Sequence, residues 1–273
     1  MLRLETETGW LLITHPDHAH LAGDFAAAWG NDQFRSPEPR ARVLKGIACH
    51  DDGWAARDAH PAITREGKPS AFSVQLAGKY SAFEEIDLDQ FLALRQRCVQ
   101  ALSADDPYAA LLVSMHSINL LTQHTDRSTI APADLLLFDR FVQHMKTGQE
   151  KLRATVAGDS NLREEEKTDQ ALLDNLHLLE ACDNLSLLSC FAFSQPSNLL
   201  HPLPLNEGGA KEIQVHPVGP RSFRLAPWPF FYPELTFQCV ARHVEGKSFP
   251  SPEALSAAFD DADEKHLPVT LVQ

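Results

Sequence analysis

Five residues of this chain could do chemistry together: His18, the adjacent pair His50 and Asp51, His116, and Asp183. Each ends or interrupts an apolar helical stripe. His18 shares a face with Leu21, Ala22, Phe25 and Trp29, the three- and four-residue steps that mark a buried helix side. Val43, Leu44 and Ile47 mark a second stripe, and the same spacing runs on to His50 and Asp51. Ala109, Leu112, Val113 and Leu120 bracket His116, while Leu176, Leu179, Leu187 and Cys190 bracket Asp183. Four helices therefore each turn an ionisable side chain toward a common interior. A carboxylate buried alone is costly, whereas imidazole nitrogens and carboxylate oxygens together suit a borderline divalent ion: manganese, iron, nickel, cobalt or zinc.

The expected metal ligands are His18, His50, Asp51 and Asp183. Asp51 and His116 form the expected catalytic set, Asp51 as the anion that retains the ion and His116 as ligand of a second ion or as substrate-orienting group. Taken singly, each residue reads as a hydrogen-bonded core histidine or a helix-end carboxylate. Recurrence on four helices is what argues for a site. His20, turned about 200° from His18 at roughly 100° per residue, faces outward. Glu180, one turn before Asp183, is a candidate supporting partner. Trp54 reads as a pocket wall or a packing plug, and His124, His144 and His177 continue no motif.

The elements that must position these groups follow from caps and breakers. Thr14, Pro16 and Asp17 open a helix that should end at Gly30-Asn31. A second helix is expected from Pro39 to Asp52, closed by a left-handed Gly53, with an opening for water beside it. An irregular loop should follow from Ala59 to Ser81. Further helices are expected over Asp87–Ser103, Asp106–Thr125, from Pro132 and Asp134 to Ala157, and over Asp169–Phe193. Of 18 prolines, 11 fall in residues 196–273, so long helices are not expected there. Runs at Ile213–Val215, Ser222–Leu225 and Leu235–Val244 suggest an antiparallel sheet that the N-terminal strand could join. The expected class is α+β, predominantly α: a helical unit over 1–195 with a short N-terminal strand, and a proline-rich β appendage over 196–273.

Composition narrows the function classes. Lys+Arg 24 against Asp+Glu 37 gives −13, and with no basic patch this disfavours nucleic acid and anionic membranes. Five scattered cysteines without a CxxC pair argue against a disulfide framework or a thiolate zinc knuckle and for a reducing cytosol. The first residues, with Glu5 and Glu7, do not form a signal peptide, and no apolar run approaches the ~20 residues of a membrane span. Gly246-Lys247-Ser248 lacks the earlier glycine of a phosphate loop, having Ala241 instead. The sequon Asn184-Leu185-Ser186 falls inside an expected helix.

The pattern of a His, a His-Asp doublet and a distant Asp resembles the HD-domain metal-dependent phosphohydrolases. The matching positions are His18 in Asp17-His18-Ala19-His20, the doublet in Cys49-His50-Asp51-Asp52-Gly53-Trp54, and Asp183 in Ala181-Cys182-Asp183-Asn184. His116 falls where many such families place an additional histidine. The stretches around Trp29-Gly30-Asn31, His50–Trp54 and Pro227–Phe230 are also similar to those of a bacterial protein family of unassigned activity. The superfamily resemblance implies an HD-like helical core over about residues 14–193. It also implies a divalent ion whose activated water attacks a small molecule, with a phosphoester as the family's usual substrate. Many HD hydrolases follow the doublet with an apolar residue, Gly and Lys. Here Asp52, Gly53 and Trp54 keep the glycine and lack the cation, leaving Arg40, Arg42, Lys45 or Arg57 to supply charge. The alternatives are a non-catalytic binding or regulatory module and, third, a di-iron oxygenase. A small-molecule substrate is the expected partner, and homodimer formation is left open.

Overall fold

The computed structural model describes residues 1–73 and 87–273. An N-terminal hairpin, β1 (Leu2–Glu5) and β2 (Gly9–Ile13), leads directly into α1 (His15–Ala28). Thr14 caps that helix, its hydroxyl accepting from the Asp17 amide at 3.1 Å, and Gly30, at φ +114°, turns the chain out of it. Helix α2 (Arg40–Ala48) and the short α3 (Ala55–Asp58) flank a 3₁₀ turn, Asp52–Trp54. Beyond β3 (Phe72–Ser73) come α4 (Leu88–Ser103), α5 (Pro107–Asn119), α6 (Leu135–Ala157) and α7 (Asp169–Cys190). Part of the expected 59–81 loop is seen as turns and β3, and residues 74–81 lie outside the described residues. The C-terminal part carries β4 (Ser197–Asn198), β5 (Leu203–Pro204), β6 (Ala210–Lys211), β7 (Gln214–Gly219), β8 (Ser222–Ala226), β9 (Glu234–Glu245), α8 (Pro252–Asp260) and β10 (Glu264–Val272).

The class is α+β, and the β part is larger than an appendage to a mainly helical protein. Among the described residues, eight strands form one sheet in the order β3-β1-β2-β9-β10-β8-β7-β4. The N-terminal hairpin enters it through β2, where Trp10 pairs with Val244. Most neighbours are antiparallel, but β1 with β3 and β10 with β8 are parallel, because both pairs are joined by long crossovers rather than hairpins. Strand β10 alternates Leu267, Val269 and Leu271 at period two, and its last two are fully buried. Helix α8 stays short, in keeping with the proline content, and begins at a Ser251 cap accepting from the Ala254 amide.

One apolar cluster runs from the sheet into the helices and includes Leu2, Ile13, Phe25, Ile47, Leu111, Leu179, Phe223 and Leu271. Phe25 of α1 meets Phe237 of β9 edge-on at 4.9 Å, and burying such a ring contributes about 1.5–3 kcal/mol. Asn31 donates to the carbonyls of Trp228 and Phe230 at 2.8 and 3.1 Å, so the Pro227–Phe230 strip fastens the end of α1 to the sheet. Gly23 allows α1 and α2 to touch: a Cβ there would lie 2.6 Å from that of Ala48. That approach brings His18 beside the His50-Asp51 doublet.

Candidate metal centre

The doublet lies just past α2 rather than on it. The expected helix to Asp52 stops at Ala48 because the His50 side chain takes a backbone acceptor, its Nδ1–H donating to the Ile47 carbonyl at 2.8 Å. Such local side-chain bonding competes with the helical ladder. The chain then tightens into the 3₁₀ turn, with the Trp54 amide on the Asp51 carbonyl at 3.0 Å. Gly53 is not left-handed. It is small because α4 crosses it: a Cβ would lie 2.5 Å from the Cys98 amide nitrogen and 2.9 Å from the Leu94 carbonyl oxygen. The opening expected beside Gly53 is therefore filled by α4. Trp54 is fully buried and stacked on His15 at 4.2 Å, as a plug would be.

The structure brings His18, His50, Asp51, His116 and Asp183 into one buried cluster. Nε2 of His18 lies 3.2 Å from Asp51 Oδ2. Nε2 of His50 lies 3.5 Å from Asp183 Oδ1 and 4.0 Å from Asp51 Oδ2. Nε2 of His116 lies 3.8 Å from Asp183 Oδ2. Two overlapping groups, His18-His50-Asp51 and His50-His116-Asp183, each hold ligand atoms within 4.8 Å of one another. Residue His20 is exposed on the opposite face of α1, and His144 is also exposed.

The other ring nitrogen of each histidine is already engaged, which fixes where the Nε2 atoms point. Ser186 Oγ donates to the Asp183 carbonyl at 2.8 Å, so at 3.1 Å from His18 Nδ1 it accepts. His50 Nδ1–H donates to Ile47, as above. His116 Nδ1–H donates to Glu180 Oε1 at 3.3 Å. All three rings therefore turn Nε2 toward two carboxylates: His18 Nε2 hydrogen-bonds Asp51 Oδ2 at 3.2 Å, a contact that needs a ring proton because an ionised carboxylate only accepts. Among the described residues, buried His50 Nε2 and Asp183 Oδ1 lack a well-formed hydrogen bond and face each other at 3.5 Å, a cost that a cation would remove.

Electrostatics follow from these distances. Burial alone would push the His50 imidazole down, but Asp51 and Asp183 outweigh it and hold its pKa up to about 9. Asp51 is held well below the carboxylate range, against burial, by Arg95 and His50. Asp183 is lowered too, burial being overcome by His50, His18 and His116. In the absence of an ion, a proton on His50 occupies the place of the positive charge.

Several supporting groups escaped the sequence reading. Arg95, buried on α4, donates to Asp51 Oδ1 at 2.8 Å and lies over the rings of Trp54 and Phe91 at 5.5 Å each. Its place among Leu92, Cys98, Val99 and Leu102, on the apolar side of α4, was the available signal. His201 comes from the proline-rich part, in a left-handed conformation at φ +63°, and its Nε2 lies 2.5 Å from Glu180 Oε2. Nothing periodic announces it. Glu180 also accepts from Asn119 at 2.8 Å, and these bonds, against burial, hold its pKa low. His177 stacks on His201 at 4.2 Å. This is the side of the cluster nearest water, with the Asp183 side chain 14% and that of His201 29% exposed.

A separate buried pair lies next to the cluster. Asp58 accepts from the Met1 amino group at 2.7 Å and lies 2.8 Å from His15 Nδ1. Burial pushes the His15 imidazole down to about 4.

All five cysteines are free, and no helix among the described residues is long and apolar enough to cross a membrane. No curated protein and no solved structure matches the chain. Residues 1–246 match the family described as "Protein of unknown function (DUF3891)". The chain belongs to that family.

Proposed function

We propose that the cluster is a divalent-metal centre and that the protein is a metal-dependent hydrolase of a small molecule, on a helical arrangement like that of the HD-domain phosphohydrolases. The convergence of three Nε2 atoms on two carboxylates, with His50 Nε2 and Asp183 Oδ1 lacking a well-formed hydrogen bond among the described residues, carries the reading. His18, His50, Asp51 and Asp183 would hold the ion, each with a second group that orients it: Ser186, Ile47, Arg95 and the histidines themselves. When bound, the ion supplies the Lewis acidity that makes water a nucleophile at neutral pH. Asp51 contributes the negative charge that retains it. His116, held by Glu180, orients the substrate or carries a proton at Nε2.

A non-catalytic module stabilised by its metal is the second reading, favoured by how little of the cluster is open, with His18, His50 and His116 each at 2% exposure or less. Elemental analysis of purified protein tests the metal, and metal-dependent turnover separates the two readings. Wild type and His20→Ala should carry metal, and Asp51→Ala should lose it with helical content retained. Equal metal in wild type and Asp51→Ala defeats the assignment, and full activity without metal defeats the mechanism.

A further inference from the structure

The charges around the centre limit what can enter it. The cluster holds three buried or largely buried carboxylates, Asp51, Asp183 and Glu180, and one buried guanidinium, Arg95, which pairs with Asp51. With neutral imidazoles, a single divalent cation offsets the two negative charges in excess. Among these described groups no net positive charge is then left to receive an anion. The four cations named from the sequence, Arg40, Arg42, Lys45 and Arg57, are committed elsewhere. Arg40 donates to the Ala27 carbonyl and Arg42 to Asp159 at 2.6 Å. Lys45 pairs with Asp105, and Arg57 donates to Ser70 at 3.3 Å while lying over the Trp54 ring. Arg95 is held on the Asp51 oxygen that does not face the histidines, between two aromatic rings. Drawing it onto a substrate would leave Asp51 buried without its partner, a strongly unfavourable exchange.

The edge nearest water repeats the pattern. Asn119, His201 and the carboxylates of Glu180 and Asp183 form it, so a phosphoester would approach negative charge on both sides. We propose that the centre acts on an uncharged acyl compound, an ester or amide, and not on a phosphoester. This rests on the hydrolase reading above. In the reaction, water adds to the acyl carbon and the bond from that carbon to oxygen or nitrogen breaks. The proton given up by water ends on the leaving atom, yielding an acid and an alcohol or amine with no change of oxidation state. His116 Nε2, directed at Asp183 Oδ2, is the imidazole placed to carry that proton.

The full chain, with its metal content measured beforehand, should be assayed on p-nitrophenyl acetate, p-nitrophenyl phosphate and bis(p-nitrophenyl) phosphate, and titrated calorimetrically with inorganic phosphate. Acetate hydrolysis should fall about a hundredfold on chelation, and by a similar factor in His116→Gln at unchanged metal content. Neither phosphate compound should be hydrolysed, and inorganic phosphate should give no binding heat that chelation removes. Hydrolysis of either phosphate compound, chelation-sensitive phosphate binding in the millimolar range or tighter, or acetate hydrolysis indifferent to chelation would overturn the proposal. Protein that takes up no metal overturns the hydrolase reading instead, so the two failures are distinct.

Discussion

Ser186 fixes the tautomer of His18. Its hydroxyl hydrogen is spent on the Asp183 carbonyl, so its oxygen accepts from His18 Nδ1, and the ring is thereby turned with Nε2 on Asp51 Oδ2 at 3.2 Å. One side chain of α7 thus sets the proton position on a ring of α1.

Replacing Ser186 by Ala should free that ring. We expect metal affinity to fall about 10- to 100-fold, as for other losses of ligand-orienting partners, with a stability cost of about 1 kcal/mol. Competition titration against a chromogenic chelator measures the first and urea denaturation the second. Unchanged affinity would mean the tautomer is set by something else.

Arg95→Met should be far more damaging to the metal-free protein than to the loaded one. Removing one partner of a buried ion pair leaves Asp51 charged and unpaired, at a cost of about 3–5 kcal/mol. A cation bound to the other Asp51 oxygen compensates part of it. Denaturation curves with and without metal should therefore diverge more in Arg95→Met than in wild type.

The pH response of metal-free protein should have two limbs. His50 is raised to about 9 by Asp51 and Asp183 against burial, so its contribution is fully present below its ordinary value near 6.5 and is lost as pH rises through about 9. Glu180 and Asp58 are held low, against burial, by neighbouring histidines and, at Asp58, the terminal amine. Their contribution is present above about pH 4 and lost as pH falls below it. Thermal melts from pH 3 to 10 should show both limbs, and metal should abolish the alkaline one by displacing the His50 proton.

Gly53→Ala should destabilise by about 1–3 kcal/mol through overpacking, since the added methyl meets the Cys98 and Leu94 backbone. Because α4 also carries Arg95, the same substitution should weaken metal binding. A variant that is destabilised but binds metal normally would show that α4 yields without moving Arg95.

The centre was legible where it coincided with helical period. His18, His116 and Asp183 each interrupt an apolar stripe, so facing the interior follows from 3.6 residues per turn. The end of α2 was not legible, because it depends on a bond between the His50 ring and Ile47 that periodicity does not encode. Arg95 belongs to no motif, although its apolar flanks mark it as inward. His201 lies in irregular chain, and only the tertiary fold brings it to Glu180. In the sheet, the runs at Ser222 and Leu235 were readable, while the parallel pairing of β8 with β10 depends on which strands meet after crossovers.

The pairing of Trp10 with Val244 links residues about 230 positions apart, and contacts of that range slow folding because a large loop must close first. The hairpin that leads into α1 finds its neighbouring strand only when β9 is available. Until then the edge of β2 is an unpaired template for other chains.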